Sequence, residues 1–447
     1  MLKKINSLKN HPGFRKYFAN TSWLFGEKIL RMVVGLFVGI WVARYLGPEQ
    51  FGLLSYAQSF VGLFAAIATL GLDGIVVREL VKDQKKSNEL MGTVFWLKLF
   101  GAFTVLLILA IAIHLTSNDT YTNTLIFIIA SATIFQSFNV VDIYFQSRVL
   151  SKYVVYANVI SLLFSSIIKI ILILNEASLM AFAWMVLFDS MVLAVGYVYF
   201  YIKNSSTFKI KYFKLNKSIA VNLLRNSWPL ILSGMVISIY IKIDQIMIKE
   251  MLNAEAVGQY AVAVKLSEIW FFIPTVITAS LFPAIINAKK KSMLLYESRM
   301  QKLFNLMFWI SLSIAFPISF LSDNIIAILY GMEYANASSV LMIHIWTGVF
   351  IFIGMPVSKW FIAENLQIYA FYRAFLGAII NIILNIILIN RYGIEGAAIA
   401  TLITSIVTSY LFNMINKKLF FNFKLQTKAF IFPLIFLYRN INVKKTD

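Results

Sequence analysis

Apolar residues run in blocks of about twenty along most of this chain, separated by short basic or Gly- and Pro-bearing stretches. A helix rises 1.5 Å per residue, so about twenty apolar residues cross the roughly 30 Å hydrocarbon core of a bilayer. The pattern predicts twelve spans, at 22–43, 52–72, 91–115, 122–147, 153–174, 178–202, 226–248, 256–287, 303–321, 338–362, 369–389 and 395–416. A further run, Ala429–Tyr438, has only ten residues and is expected to lie in the interface. The expected fold class is therefore all-α integral membrane.

Composition removes the soluble alternative. Of 447 residues, 60% are hydrophobic and 13% charged, against about 25% charged in soluble domains. The absence of cysteine excludes disulfides, iron–sulfur clusters and thiol catalysis. His11, His114 and His344 are too scattered for a metal site, and no cofactor or metal is expected. Residues 1–20 are polar and basic without a cleavable apolar core, so the first span is expected to act as the insertion signal.

The net charge of +20 reads as topology. With the twelve spans placed, thirty basic residues fall on the side of both termini. Only Arg44, Lys249 and Arg391 fall on the other. Basic loops stay in the cytoplasm, so both termini are expected there, in a multi-pass inner-membrane protein. The same distribution argues against nucleic acid as a partner.

An internal repeat is written in the sequence. ARYLGPEQFG (Ala43–Gly52) is similar to KEMLNAEAVG (Lys249–Gly258) at an offset of 206, and YFQSRVLSKY (Tyr144–Tyr153) to WFIAENLQIY (Trp360–Tyr369) at 216. Each pair occupies the same place in its half of the span order. This predicts two six-helix lobes related by a parallel pseudo-two-fold around a central cavity, a transporter layout. The expected divisions are a first lobe at 1–202, a basic linker at 203–225, a second lobe at 226–416 and a cytoplasmic or interfacial tail at 417–447.

Several motifs resemble one family. ARYLGPEQFGLLSYAQSF and TLGLDGIVVREL in the first half, and IKIDQIMI, VGQYAVAVKLSE, LFPAI and RYGIEGAAIATLI in the second, resemble the polysaccharide-transport flippases. That family shares a superfamily with the multidrug-and-toxin exporters and the lipid II flippase. The resemblance covers roughly residues 20–416. It implies export of an undecaprenyl-diphosphate-linked oligosaccharide, an O-antigen or capsule repeat unit of lipopolysaccharide type. Implied partners are that glycan lipid, membrane lipid, and the polymerase and chain-length proteins of the pathway; a monomer is expected.

A charge in the bilayer core costs about 2.5–3.5 kcal/mol on insertion scales, so each needs a reason. Glu27 and Arg31 are four apart and can pair on one helix face. Arg31 lies roughly 12 Å past the cytoplasmic boundary. Lys265 lies at comparable depth, with Glu268 three residues on. Arg31 and Lys265, with Lys28 and Lys242, are the candidate ligands for a diphosphate headgroup. Glu27, Glu268 and Asp244 are the candidate charge partners and coupling groups. Lys98 and Lys359 are read as snorkelling to the interface, and Lys169 with Asp189 as a packing pair. Gln136, Asn139, Asp142 and Gln146 form a stripe on one face of the fourth span, either bonding between helices or walling a sugar-lined lumen.

Two rivals are weighed. A multidrug exporter of the same superfamily would call for an acidic lumen to meet its cations. A membrane glycosyltransferase or polymerase would need catalytic carboxylates or arginines in sizeable outer loops, and the expected outer loops are short. No enzyme activity is expected.

Overall fold

In a computed structural model the described residues are 12–83, 86–116, 118–204 and 214–443. Lys3, Lys4, Lys9, Lys85, Lys209, Lys211, Lys444 and Lys445, counted above for topology, lie outside them. Hydrocarbon offers backbone groups no hydrogen bond, so they must pair within the chain. The described residues accordingly form helices: α1 (Pro12–Gly62), α2 (Ala65–Thr69), α3 (Asp73–Lys82), α4 (Ser87–Ala112), α5 (Thr120–Phe135), α6 (Val140–Ser147), α7 (Lys152–Leu174), α8 (Leu179–Asn204), α9 (Lys217–Met251), α10 (Ala254–Glu268), α11 (Phe272–Lys289), α12 (Met293–Leu329), α13 (Ala337–His344), α14 (Thr347–Ala363), α15 (Gln367–Ser409) and α16 (Phe420–Val443). Ten helical stretches among the described residues are long and apolar enough to cross a membrane. Two of them, Ala19–Gly62 and Gln367–Met414, run 44 and 48 residues, about twice what a bilayer takes. Each holds one non-helical residue, Gly47 (φ 70°) and Gly393 (φ 58°). Left-handed backbone of this kind is open to glycine without a Cβ penalty, and division there yields the twelve expected spans.

Two expected spans are not straight. The fourth is interrupted by a 3₁₀ turn, Gln136–Asn139, and the eighth by another, Ile269–Phe271. In each case a serine beside the break takes a carbonyl three residues back: Ser137 Oγ donates to Ile134 (2.7 Å) and Ser267 Oγ to Val264 (3.0 Å). Such back-bonding competes with the helical ladder.

The helices group into two compact units. The first comprises the chain up to Leu46 with Leu53–Lys242; the second comprises Gly47–Gly52 with the chain from Ile243. In the first unit α7 packs on α8, α5 on α8 and α3 on α6, around buried Leu72, Met91, Val140, Tyr144, Phe145 and Tyr201. In the second unit α10 packs on α13 and α12 on α14, around Met300, Phe304, Phe352 and Phe361. The ten-residue run near the C-terminus belongs to a longer helix: α16 packs on α12 and buries Leu425 and Ala429 in that core.

The repeat holds at the level of single bonds. At the offset of 206, Gly47 and Asn253 both precede helix starts, Pro48 and Ala254 open the helices, and Gly62 and Glu268 close them. Pro fits the first helical position because the N–H it lacks would be unbonded there anyway. Asn253 caps its helix by accepting from Ala256 N at 2.8 Å. At the offset of 216, α6 and α14 end in the same turn. Val149 and Asn365 take φ 57° and 58°. Leu150 N bonds Phe145 O at 2.9 Å, and Leu366 N bonds Phe361 O at 2.7 Å. These are the left-handed caps that close many helices. The ring pairs Phe145–Tyr153 and Phe361–Tyr369 recur too, with centroids 5.3 and 6.4 Å apart.

Within the second unit the two repeated segments touch each other. A Cβ on Gly52 would overlap the Ala254 carbonyl and the Gly258 amide; a Cβ on Gly258 would overlap the Pro48 carbonyl. Residues 48 and 254, and 52 and 258, are equivalent under the repeat. The contact is therefore reciprocal, as in an isologous interface, and a local two-fold passes between the glycines. Small residues let helix backbones approach this closely in lipid. Gly52→Ala and Gly258→Ala are each expected to lower the melting temperature of the detergent-solubilised protein, since overpacking costs about 1–3 kcal/mol. Gly35→Ala, whose added methyl meets nothing within 4 Å, should not lower it. Melting of the first two with the wild type would refute the close crossing.

Candidate functional site

In the first unit, intramembrane charge gathers on four helices. Glu27 and Arg31 stand one turn apart on α1 and pair as expected. Arg31 Nε donates to Glu27 Oε1 at 2.8 Å and Nη2 lies 2.5 Å from the same oxygen. The carboxylate is 10% exposed and the guanidinium side chain 50%. A nearly buried acid therefore holds a half-exposed arginine. Lys28, on the same helix, is exposed.

Lys98 corrects its reading as a snorkelling residue. On α4 it is 2% exposed, and its Nζ donates to Asp73 Oδ1 at 2.5 Å. An ammonium enclosed by protein is not snorkelling; it takes a carboxylate from the first turn of α3. That turn also places negative charge at a helix N-terminus, where the backbone dipole favours it. Asp73 was not among the residues singled out. It stands nine residues before the end of α3 and Lys98 eleven after the start of α4, so the antiparallel hairpin of these two helices brings them level.

Asp142, in the first turn of α6, feels the charges of Asp73, Lys98, Glu27 and Arg31. It is thus the fifth member of one cluster. Gln136 and Asn139 sit in the 3₁₀ turn just before α6, where a three-residue period aligns them. Both are half-buried, as is Asp142, while Gln146 is exposed. Beside them Tyr197 Oη donates to Asn158 Oδ1 at 3.1 Å. Lys242 also belongs to the first unit, its carbons lying 3.6–3.9 Å from where a Cβ on Gly62 would stand. Lys169 pairs with Asp189 at 2.7 Å across α7 and α8, as read from the sequence.

The second unit holds a different kind of site. Asp244 is 6% exposed. Its Oδ2 accepts from Tyr260 Oη at 2.8 Å and Thr401 Oγ1 at 2.6 Å, and its Oδ1 from Asn385 Nδ2 at 2.7 Å. Asn385 Nδ2 also donates to Asn381 Oδ1 at 3.1 Å. Among the described residues no Lys or Arg pairs with Asp244. Its two oxygens are held by neutral donors. Lys265 and Glu268 lie in the last turns of α10 and are both exposed.

The Asp73–Lys98 pair predicts an asymmetry. Asp73→Asn leaves a buried ammonium without its carboxylate, whereas Lys98→Met leaves a carboxylate that is 61% exposed and solvated. Asp73→Asn should therefore lower the melting temperature in detergent more than Lys98→Met, and adding Lys98→Met should recover part of the loss. The reverse order would show that the pair is not the buried contact described.

Comparison with known proteins agrees with this architecture. An uncharacterized membrane protein of Methanocaldococcus jannaschii is 28% identical over 188 residues, 42% of this chain and 43% of that one. A probable low-salt glycan biosynthesis flippase of Haloferax volcanii, Agl15, is 28% identical over 177 residues, 38% and 37% of the two chains. The chain thus spans about two fifths of the length of these curated relatives. The fold is similar to the lipid II flippase MurJ in an inward closed conformation, with TM-score 0.68 and 15% identity over 94% of this chain and 93% of that one. It is also similar to an inward-facing multidrug resistance MATE family transporter of the MOP superfamily, with TM-score 0.67 and 15% identity over 85% and 92%. Residues 17–289, more than half of the sequence, match the polysaccharide biosynthesis protein family, and the chain, a multi-pass membrane protein of two helical units, belongs to that family.

Proposed function

We propose that this protein is a flippase that moves an undecaprenyl-diphosphate-linked oligosaccharide, of the O-antigen or capsule repeat type, from the cytoplasmic to the outer leaflet of a bacterial inner membrane. Both termini and the basic segment 203–225 face the cytoplasm in this reading, following the thirty-to-three division of basic residues. The protein carries the glycan lipid and makes or breaks none of its bonds.

The observation that carries the reading is Arg31, a half-exposed cation tethered within a span by a nearly buried glutamate, in a chain of the polysaccharide biosynthesis family. A diphosphate brings two or more negative charges, and a guanidinium in low dielectric binds them through paired N–H donors. Glu27 holds Arg31 between cycles. The headgroup displaces that contact on arrival and restores it on leaving, so no bare charge is stranded in either state. Lys28 adds positive charge on the same helix, and Lys242 and Lys265 serve as further phosphate contacts in their own units. The polar face of Gln136, Asn139 and Asp142 meets sugar hydroxyls. Asp244 couples transport to an ion gradient by exchanging a proton or small cation within its ring of neutral donors.

Proteoliposomes carrying a fluorescent undecaprenyl-diphosphate-linked N-acetylglucosamine test this directly. Access of a membrane-impermeant quencher reports which leaflet holds the probe. The wild type should equilibrate it between leaflets. Arg31→Ala should slow that at least tenfold, and Arg31→Lys should keep part of the rate, because charge survives while the fork of donors is lost. Asp244→Asn should still equilibrate the probe but no longer accumulate it in response to an imposed proton or sodium gradient. Wild-type rates in Arg31→Ala would sink the cationic site, and an unchanged gradient response in Asp244→Asn would sink the coupling role.

A further inference from the structure

Two bends in the second unit meet side by side. The eighth span breaks between α10 and α11 at the 3₁₀ turn Ile269–Phe271. The tenth tightens between α13 and α14, where the amides of Trp346, Gly348 and Val349 bond carbonyls three residues back. Ser267 near the end of α10 and His344 at the end of α13 join the two: Ser267 Oγ lies 2.6 Å from His344 Nδ1. Both side chains are buried. A hydroxyl has one proton to give, and Ser267 gives it to Val264 O, so His344 donates through Nδ1–H. A Cβ on Gly348 would stand 3.5 Å from the Phe271 ring, a second close approach of the bends. His344 also packs on Tyr260, with ring centroids 6.2 Å apart and planes at 88°, an edge-to-face contact. Tyr260 stands two turns before Ser267 on α10, and its Oη donates to Asp244. One histidine thus links a donor of the buried carboxylate to both bends. In the first unit the second span divides after Gly62 and the fourth at Gln136–Asn139. There, at the offset of 206, Ser267 corresponds to Val61 and His344 to Phe138, neither of which can hydrogen-bond through its side chain.

We infer that the Ser267–His344 bond is a clasp that carries the state of Asp244 to the bends of the eighth and tenth spans. The inference rests on the reading of Asp244 as the coupling group and adds how its occupancy moves helices. A hydrogen bond to an ionised acceptor is about twice as strong as one between neutral groups. A proton or small cation on Asp244 cancels the charge that Tyr260 donates to, and the hold on Tyr260 falls. The Tyr260 ring then shifts against His344, and His344 moves with Ser267 across the paired bends. A bend is where a helix changes direction, because its ladder of backbone bonds is already interrupted there. The clasp stands in the unit that carries the buried carboxylate, as this role requires.

The chain has no cysteine, so spin labels on Glu255→Cys and Lys290→Cys, exposed positions at the two ends of the eighth span, report its bend in the full-length protein. Asp244→Asn stands in for the neutralised carboxylate. It should shift the mean label distance when Ser267 and His344 are intact. It should leave that distance unchanged in a His344→Phe background, where a ring still meets Tyr260 but the bond to Ser267 is gone. Ser267→Ala removes the same bond from the other side and should act alike, covering the case in which His344→Phe fails to fold. In the proteoliposome assay above, both clasp variants should equilibrate the probe at the wild-type rate and lose its gradient-driven accumulation. Equal shifts on Asp244→Asn with and without the clasp, or no shift at all, would overturn the inference. If accumulation is lost in Asp244→Asn but kept in both clasp variants, the clasp falls while the coupling reading stands. If the wild type does not accumulate the probe, or Asp244→Asn accumulates it normally, the coupling reading itself fails and the inference with it.

Discussion

Hydrocarbon solvates neither a peptide group nor a charge, and this constraint organises the chain. Every backbone N–H and C=O inside the membrane must find its partner in the protein, which makes helices the default and turns each departure from helix into a local problem to be solved. The departures here are solved by residue chemistry. Gly47 and Gly393 divide two double-length helices because glycine reaches positive φ at little cost. Ser137 and Ser267 take backbone carbonyls where 3₁₀ turns replace α-helix. Val149 and Asn365 close helices in left-handed caps whose amides bond back into the preceding turn.

The same constraint sorts the charges. Lys98, almost fully buried, is matched to Asp73, and Lys169 is matched to Asp189 across two helices. Asp244 lacks a basic partner among the described residues and accepts from three donors, one on α10 and two on α15. Arg31 differs from all of these. Its partner is almost buried while its own side chain is half exposed, so the pair holds the cation in place through Nε and Nη2 alone. That difference, more than the presence of charge, marks α1 as the place where an anion can be met.

Much of the architecture was legible in the sequence because hydropathy has one strong period and one strong length scale. Twelve spans, the Glu27–Arg31 and Lys169–Asp189 pairs, and the register of the repeat follow from counting residues along helices. What was not legible depended on groups that meet across helices. Lys98 is an isolated lysine near a span end, and its distance from the boundary suggests snorkelling; only the hairpin shows that Asp73 stands level with it. Asn381, Asn385 and Thr401 are unremarkable polar residues in apolar spans until the fold brings them to Asp244. The interruptions of the fourth and eighth spans were hidden because a 3₁₀ turn of three or four residues leaves apolar composition unchanged.

The repeat gives these differences their meaning. Backbone joints are duplicated almost bond for bond: the helix starts at 47 and 253, the fifteen-residue helices that follow, and the caps at 149 and 365. Side-chain chemistry is not duplicated. The first unit carries the ion pairs Glu27–Arg31 and Asp73–Lys98 with Asp142 among them. In the second unit the buried carboxylate, Asp244, is held by neutral donors alone among the described residues. Residues equivalent to Glu27 and Arg31 at the offset of 206 are Ser233 and Ile237, neither of them charged. A duplicated scaffold whose joints are kept and whose charges have diverged offers two kinds of site: cations held by acids in the first unit, and in the second a carboxylate among hydroxyls and amides. On the proposed reading the first suits a large anionic headgroup that must be gripped and released, and the second a small cation or proton, so that two copies of one backbone divide the chemistry between them.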